Sequence, residues 1–262
     1  LCEIVNLKDS SRVILGRNTT EAFSFVYWLA EVEKGNIVLT NASNKSILRI
    51  FREHRDHGNT SGRDGWSTFP DAILKEDFKG IKTVENTNVP IKIDRFLEDF
   101  NEEELLRKID KKTSLLVLDH VVRNNGKVFD IEKIAKKIKE KNKNIYIAVD
   151  GAQALGNLPS VDFERLETSG IDFYAATPHK TLGSYPLGVL YISQRVRENI
   201  KNHRGLHPEK QIIMKGMIHK SLNIRPNVTS KLNPLRFLAV STAIDLLRKK
   251  GYLKKTSFSN KV

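Results

Sequence analysis

The chain holds one cysteine, Cys2, so it cannot form an internal disulfide. That usage suits a reducing compartment, and the cytoplasm is the expected location. Long hydrophobic runs are missing too. The longest apolar stretches, such as Ile145 to Val149 and Gly188 to Ile192, are the length of strands and far short of a membrane span. The opening residues, Leu-Cys-Glu-Ile-Val-Asn, lack a basic region followed by an apolar core and a small-residue cleavage site, so no signal peptide is expected. No internal repeat is visible. The pairs His54 with His57 and His203 with His207 have spacings a metal could use. Neither sits with a cysteine or carboxylate in a metalloenzyme motif, so both read as loop histidines and no metal is expected. Cys2 reads as a small apolar residue, not a nucleophile.

What is present is enough apolar material to fold and a large excess of positive charge. Hydrophobic residues are 39% of 262, sufficient for one large core or two modest ones. A formal charge of +13 raises the question of nucleic acid or anionic membranes. The densest basic stretches, Lys136 to Lys143 and Arg248 to Lys255, read as exposed faces or ends of amphipathic helices, without interleaved aromatics. Neither nucleic acid nor a membrane is therefore an expected partner. A basic nucleic-acid-binding module stays as the last of three readings, and it would show strongly salt-dependent binding and no cofactor.

Short runs rich in Val and Ile alternate with segments of helical period, which predicts an α/β fold with a mostly parallel central sheet and helices on both faces. The predicted strands are Arg12 to Leu15, Ile37 to Thr40, Leu115 to Leu118, Ile145 to Val149, Phe173 to Ala176 and Gly188 to Ile192. Ala22, Phe23, Val26, Leu29 and Ala30 share one helical face, as do Ile131, Ile134, Ala135 and Ile138. Lys34-Gly35 is the expected end of the first helix. From about His54 to Pro90 the sequence reads as a long surface excursion with weak periodicity. A last helix, about Asn233 to Lys250, is expected to turn Leu235, Leu238, Ala239, Thr242 and Leu246 inward. The expected division is a large domain over 1–230, then over 231–262 a connecting helix and the start of a smaller domain.

The segment Ala148-Val-Asp-Gly-Ala-Gln153 is a buried strand that runs into an acid, small residues and an amide. Ligands of parallel sheets sit at the carboxyl ends of strands, which puts Asp150 where a site would be. Tyr174-Ala-Ala-Thr-Pro-His-Lys180 is a second strand running into a polar cluster, here ending in lysine. In Gly16-Arg-Asn-Thr-Thr-Glu-Ala22 a strand passes through glycine into residues that cap a helix, a ready phosphate site. A cofactor that needs a phosphate cradle, a Schiff-base lysine and a carboxylate for a pyridinium nitrogen would use all three parts, and pyridoxal phosphate is that cofactor. Asp150 is the candidate for the ring nitrogen, Gln153 for the phenolic oxygen, and Lys180 for the Schiff base and for moving protons at the substrate carbon. His120, at the end of another strand, is balanced between a hydrogen-bonded core residue and a site residue.

These segments resemble the class V aminotransferase superfamily, which includes cysteine desulfurases, isopenicillin N epimerase-like proteins and selenocysteine lyases. Asn18-Thr-Thr-Glu-Ala22 resembles its phosphate-binding turn, Asp150-Gly-Ala-Gln153 its pyridine-nitrogen motif and Thr177-Pro-His-Lys180 its lysine motif. Leu118-Asp-His-Val121, with Gly126 and Asp130-Ile-Glu132, is similar to the segment before a crossover helix, its wording leaning toward the epimerase-like branch. The resemblance implies the fold type I large domain, phosphate contacts from Thr19, Thr20, Thr177 and His179, and a catalytic group of Lys180, Asp150 and His179. It also implies an amino-acid substrate and a homodimer with sites at the subunit interface. Arg225 to Ser230 resembles the stretch that reaches a partner's phosphate site, with Ser230 in place of the family's threonine.

Two departures accompany the likeness. Ser43 to Arg49 resembles the segment that stacks an aromatic residue on the cofactor ring, and here that position is Asn44, an amide without the π surface of an imidazole. Arg123 stands where the family has a small polar residue, and is either a substrate-carboxylate ligand or, more simply, an exposed charge. By the resemblance, the sequence is expected to begin and end inside the family pattern, lacking the usual amino-terminal segment and holding only the start of a truncated small carboxyl-terminal domain. The expected activity is transamination, epimerisation or carbon–sulfur cleavage of an amino acid, the alternative being a catalytically reduced relative with a structural or partner-binding role.

Overall fold

Strands covered on both faces lose the alternation of inside and outside and read as unbroken apolar runs, and that is how the central strands of this chain are built. The structure, a computed structural model, describes residues 5–30, 35–40, 46–51, 93–96, 102–158, 161–180, 187–202, 227–228 and 234–251. In chain order its elements are β1 (Val13–Gly16), α1 (Thr19–Leu29), β2 (Asn36–Thr40), β3 (Ile93–Phe96), α2 (Glu102–Lys108), β4 (Thr113–Asp119), α3 (Ile131–Lys141), β5 (Tyr146–Asp150), α4 (Phe163–Thr168), β6 (Phe173–Ala176), β7 (Gly188–Ile192), α5 (Gln194–Asn202), β8 (Asn227–Val228) and α6 (Pro234–Lys249). Residues 46–51 are also helical.

The strands form one sheet in the order β3-β2-β4-β5-β6-β7-β1-β8. Only β7 runs against its neighbours, pairing antiparallel with both β6 and β1. The reversal has a consequence for position. Gly188, the first residue of β7, pairs with Gly16, the last of β1, so the start of β7 lies on the edge where the other strands end. On that edge Asp119 of β4 lies beside Asp150 of β5, and Asp150 beside Ala175 of β6.

Successive residues of each strand feed opposite cores. Leu115, Val117, Ala148, Phe173 and Ala175 join α1, residues 46–51 and α5 on one face. Leu116, Leu118, Ile147, Val149, Tyr174 and Ala176 join α3 and α4 on the other. The expected mostly parallel α/β sheet with helices on both faces is therefore the observed one. All six expected strands are present, two with the expected ends and four with an end shifted by one or two residues. Arg12 is the exception within them, since it closes a short 3-10 turn that starts after Asp9 and precedes β1. The expected faces of α1 and α3 are buried as expected. In α1 the burial extends further, to Phe25 and Tyr27, because Phe23 and Tyr27 pack against Phe51 at ring-centroid distances of 6.4 and 5.9 Å.

Two expectations need correction. The first helix ends at Leu29, where the N–H of Ala30 bonds to Val26 O, so Gly35 is not its terminator. Gly35 answers a close approach instead: a Cβ there would lie 2.3 Å from the carbonyl oxygen of Lys112, at the start of the β2–β4 ladder. In α6 the expected inner face points outward. Leu238 and Leu246 are 63% and 52% exposed, while Val240 and Ile244, with Ala243 and Leu247, pack on Leu187. The expected excursion from His54 to Pro90, the four paired histidines and Cys2 lie outside the described residues. No described helix is long and apolar enough to cross a membrane.

The basic stretch on α3 is largely committed to local partners. Lys133 and Lys137 both pair with Glu102, and Lys139 reaches the buried Asp172 at 2.8 Å. Lys141 Nζ donates to Leu106 O.

Candidate active site

The sequence has a strong helix start after β1, and the structure uses it there. Asn18 caps α1, its side chain accepting from Glu21 N at 2.8 Å, while Glu21 reaches back to the N–H of Arg17. Ala22 N bonds to Asn18 O. Among the described residues this leaves the N–H groups of Thr19 and Thr20 without acceptors, at the positive end of an eleven-residue helix. The Thr19 side-chain oxygen is buried and also has no partner. The turn lies tightly over β7, because a Cβ on Gly188 would fall 2.5 to 2.7 Å from the backbone of Asn18. Only a glycine lets the two segments meet so closely.

Asp150 ends β5 and is buried. Among the described residues its carboxylate accepts one hydrogen bond, from Ala152 N to Oδ1 at 2.9 Å. Burial holds its pKa above the usual carboxylate value, against the pull of the Ala152 N–H and of the positive charge on Lys180. The ring of Tyr174, on β6, runs across Gly151, the residue after the acid. Its hydroxyl lies 2.9 Å from His120 Nδ1. Burial and the neighbouring charge of Asp150 push this phenol well above its ordinary pKa. Burial lowers His120 to about 4, with a smaller opposing effect from Asp130, so the imidazole is neutral. Of the two roles open to His120, the structure shows a buried, hydrogen-bonded ring, packed edge-on to Tyr174 at 5.9 Å.

The lysine motif begins as β6 ends. Thr177 is buried, donates to Leu187 O at 2.9 Å and pairs with His179 Nδ1 at 2.6 Å. A 3-10 turn over Pro178–Lys180 follows and delivers Lys180 to the rim. Lys180 is exposed, yet packed closely enough for partial desolvation to lower its pKa; the charge of Arg123 adds to that lowering and the charge of Asp150 opposes it. His179 is lowered as well, by burial and then by Lys180. Gln153 is half-buried just past Asp150, its main-chain oxygen accepting from Asn157 at 2.9 Å.

The structure thus brings Thr19, Thr20, Asp150, Gln153, Thr177, His179 and Lys180 to one edge of the sheet. Asn44 and Ser230 lie outside the described residues. The sequence reading missed Tyr174, which it took only as a strand residue, and it favoured Arg123 as a mere exposed charge. Arg123 is exposed, but its charge reaches Lys180. The signal that could have found Tyr174 is the glycine after Asp150, which leaves room for a ring.

Residues 81–254, about two thirds of the chain, match the family model described as aminotransferase class-V. The chain is 35% identical over 138 residues to the cysteine desulfurase IscS of Buchnera aphidicola, covering 48% of this chain and 33% of that protein. It is 28% identical over 210 residues to a cysteine desulfurase of Wigglesworthia glossinidia brevipalpis, covering 78% of this chain and 43% of the other. The chain spans well under half the length of both. The fold aligns with the cysteine desulfurase CsdA of Escherichia coli at a TM-score of 0.60 and 17% identity, over 94% of this chain and 55% of that one. The fold is that of the large domain of such enzymes, and the family match extends over the acid, amide and lysine motifs. The chain belongs to the class V aminotransferase family.

Proposed function

We propose that the chain is the cofactor-binding part of a pyridoxal-phosphate-dependent enzyme that acts on an amino acid, through a Schiff base on Lys180. The observation that carries this reading is the pairing across adjacent strand ends of a buried carboxylate, Asp150, with a rim lysine whose charge it feels. The residues fit the cofactor at three further points. The partnerless Thr19 hydroxyl and the free first-turn N–H groups of α1 suit a phosphate. Thr177 and His179 line the same edge from β6, and Gln153 has an amide to offer the phenolic oxygen.

When bound, pyridoxal phosphate supplies an electron sink for the α-carbon of the substrate. The work of the protein is to place and to protonate. The lowered pKa of Lys180 keeps a larger share of its amine neutral, the form that attacks a carbonyl carbon. The same amine then takes and returns the proton at the substrate carbon. Asp150 would hold the ring nitrogen of the bound cofactor, whose positive charge would offset the burial that otherwise favours the neutral carboxyl. Asn44 and Ser230, which lie outside the described residues, stay in the proposal on the family resemblance alone, one for the ring face and one for a partner's phosphate site. Homodimerisation, location in the cytoplasm and the division near residue 230 belong to the same proposal. Because the two relatives described above are cysteine desulfurases, carbon–sulfur cleavage comes first among the candidate reactions.

Titration of the protein with pyridoxal phosphate tests the reading. The expected result is a visible absorbance band in the wild type that is absent in Lys180→Ala and blue-shifted or weakened in Asp150→Asn. Absence of a band in the wild type would favour the fold being kept for partner binding instead.

A further inference from the structure

Among the described residues, the carboxylate of Asp150 is held by one hydrogen bond, from Ala152 N to Oδ1 at 2.9 Å. Its direction therefore depends on the turn that starts at Gly151. The N–H of that glycine donates to Ala175 O at 2.7 Å, and its carbonyl accepts from Ala154 N and Leu155 N at 2.9 and 3.0 Å. The Tyr174 ring lies across the same glycine, since a Cβ there would fall 2.1 to 2.4 Å from Cε1, Cζ and the hydroxyl oxygen. Phe163 packs against the ring at 5.4 Å, and His120 meets it edge-on at 5.9 Å. The phenol is fully buried, and among the described residues its hydroxyl has one hydrogen-bond partner, His120 Nδ1 at 2.9 Å. His120 is held from its main chain as well: its N–H donates to Asp150 O at 3.0 Å, and its carbonyl accepts from Phe129 N at 2.9 Å. The second of these bonds closes a hairpin that follows β4, in which Val122 N donates to Lys127 O and Gly126 N to Val122 O, each at 2.9 Å. Val121 and Val128 bridge antiparallel at its base, and Gly126, at φ 71°, makes the turn. The imidazole is thus a fixed point, and the phenol hangs from it onto the glycine after the acid.

We propose that Tyr174 and His120 are positioning residues for Asp150: the phenol, anchored through its hydroxyl on the imidazole, keeps the Gly151 turn where it holds Ala152 N–H on Oδ1 and leaves Oδ2 for a ligand. This rests on the function proposed above and deepens it, since Oδ2 is then the oxygen offered to the ring nitrogen. The pair works through the main chain. Asp150 stands in register with Ala175, which faces the core of α1, whereas Tyr174 faces the core of α3 and α4. The titratable groups around Asp150 are Asp119, in register with it on β4, Tyr174 on β6 and Lys180 on the turn that follows, while His120 meets its carbonyl. A hydrogen bond to the ionised carboxylate weakens its hold on a proton. How tightly Asp150 binds its proton therefore reports how well the turn presents the Ala152 N–H.

The test uses the full chain without cofactor, as wild type, Tyr174→Phe and His120→Asn. Carbon NMR of carboxyl-labelled aspartate follows the ionisation of Asp150, whose signal is identified by its loss in Asp150→Asn. Hydrogen exchange of the Ala152 amide, read against the amides of β5, reports the bond itself, because a general loss of stability speeds both alike. Tyr174→Phe retains the ring and its packing, so the chain is expected to fold. In that variant Asp150 is expected to hold its proton about tenfold more tightly, the scale of one hydrogen bond to a charged group, and Ala152 to exchange about tenfold faster relative to β5. His120→Asn, whose amide can bond the Tyr174 hydroxyl in place of Nδ1, should stay close to wild type in both. An unchanged Asp150 titration or an unchanged relative exchange in Tyr174→Phe would overturn the proposal, and so would changes in His120→Asn as large as those in Tyr174→Phe. Failure of the cofactor reading shows separately, as no visible band in the wild type with pyridoxal phosphate, whatever the Asp150 titration gives.

Discussion

Gly151 and Tyr174 are so close that a Cβ on the glycine would fall 2.1 Å from the tyrosine ring. The contact joins the backbone after Asp150 to the ring that pairs with His120, so the acid and the base of the hairpin share one packed unit. Gly151→Ala is therefore expected to cost about 1–3 kcal/mol in urea unfolding, as overpacking does, and to weaken cofactor binding through Asp150. Tyr174→Leu in the same chain should recover part of the loss, since the two changes share one contact and will not add.

Thr19→Val should behave in opposite ways with and without cofactor. The variant removes a buried hydroxyl that has no partner, so the cofactor-free protein is expected to gain about 1 kcal/mol of stability. Its affinity for pyridoxal phosphate should fall about tenfold, because that hydroxyl is the one offered to the phosphate. Thermal unfolding and a spectral titration on the same preparation measure both.

His120 makes stability depend on pH. Its folded pKa, about 4, lies below the ordinary 6.5, so between those values the unfolded chain binds the proton that the folded chain refuses. The contribution is fully present above pH 6.5 and is lost as pH falls toward 4, by at most about 3 kcal/mol for a shift of this size. His120→Gln, which retains an amide for the Tyr174 hydroxyl, should flatten the stability profile in that window relative to wild type. Urea midpoints at several pH values give the difference.

The central strands were legible in the sequence because burial on both faces writes them as continuous apolar runs, as in Leu115 to Leu118. The edge strands were not. β3 reads Ile-Asp-Arg-Phe and β8 is two residues long, so neither carries that signature. The face of α6 was misread because its sequence holds two apolar stripes of helical period. Leu238, Thr242 and Leu246 make one, while Val240, Ile244 and Leu247 make the other, and periodicity cannot choose between them. At the site, Asp150 and Lys180 stood out as polar residues at the ends of apolar strands. The parts that escaped notice depend on neighbours far apart in sequence: Gly188 under Asn18 and Tyr174 across Gly151.

The account stands most directly on which lysine holds the cofactor. Incubation with pyridoxal phosphate, borohydride reduction and peptide mapping decides it. The expected result is one reduced adduct, on the peptide containing Lys180, lost in Lys180→Ala and formed in lower yield in Asp150→Asn. An adduct on another lysine, or one scattered over many, would contradict the pairing of Lys180 with Asp150 as a cofactor site.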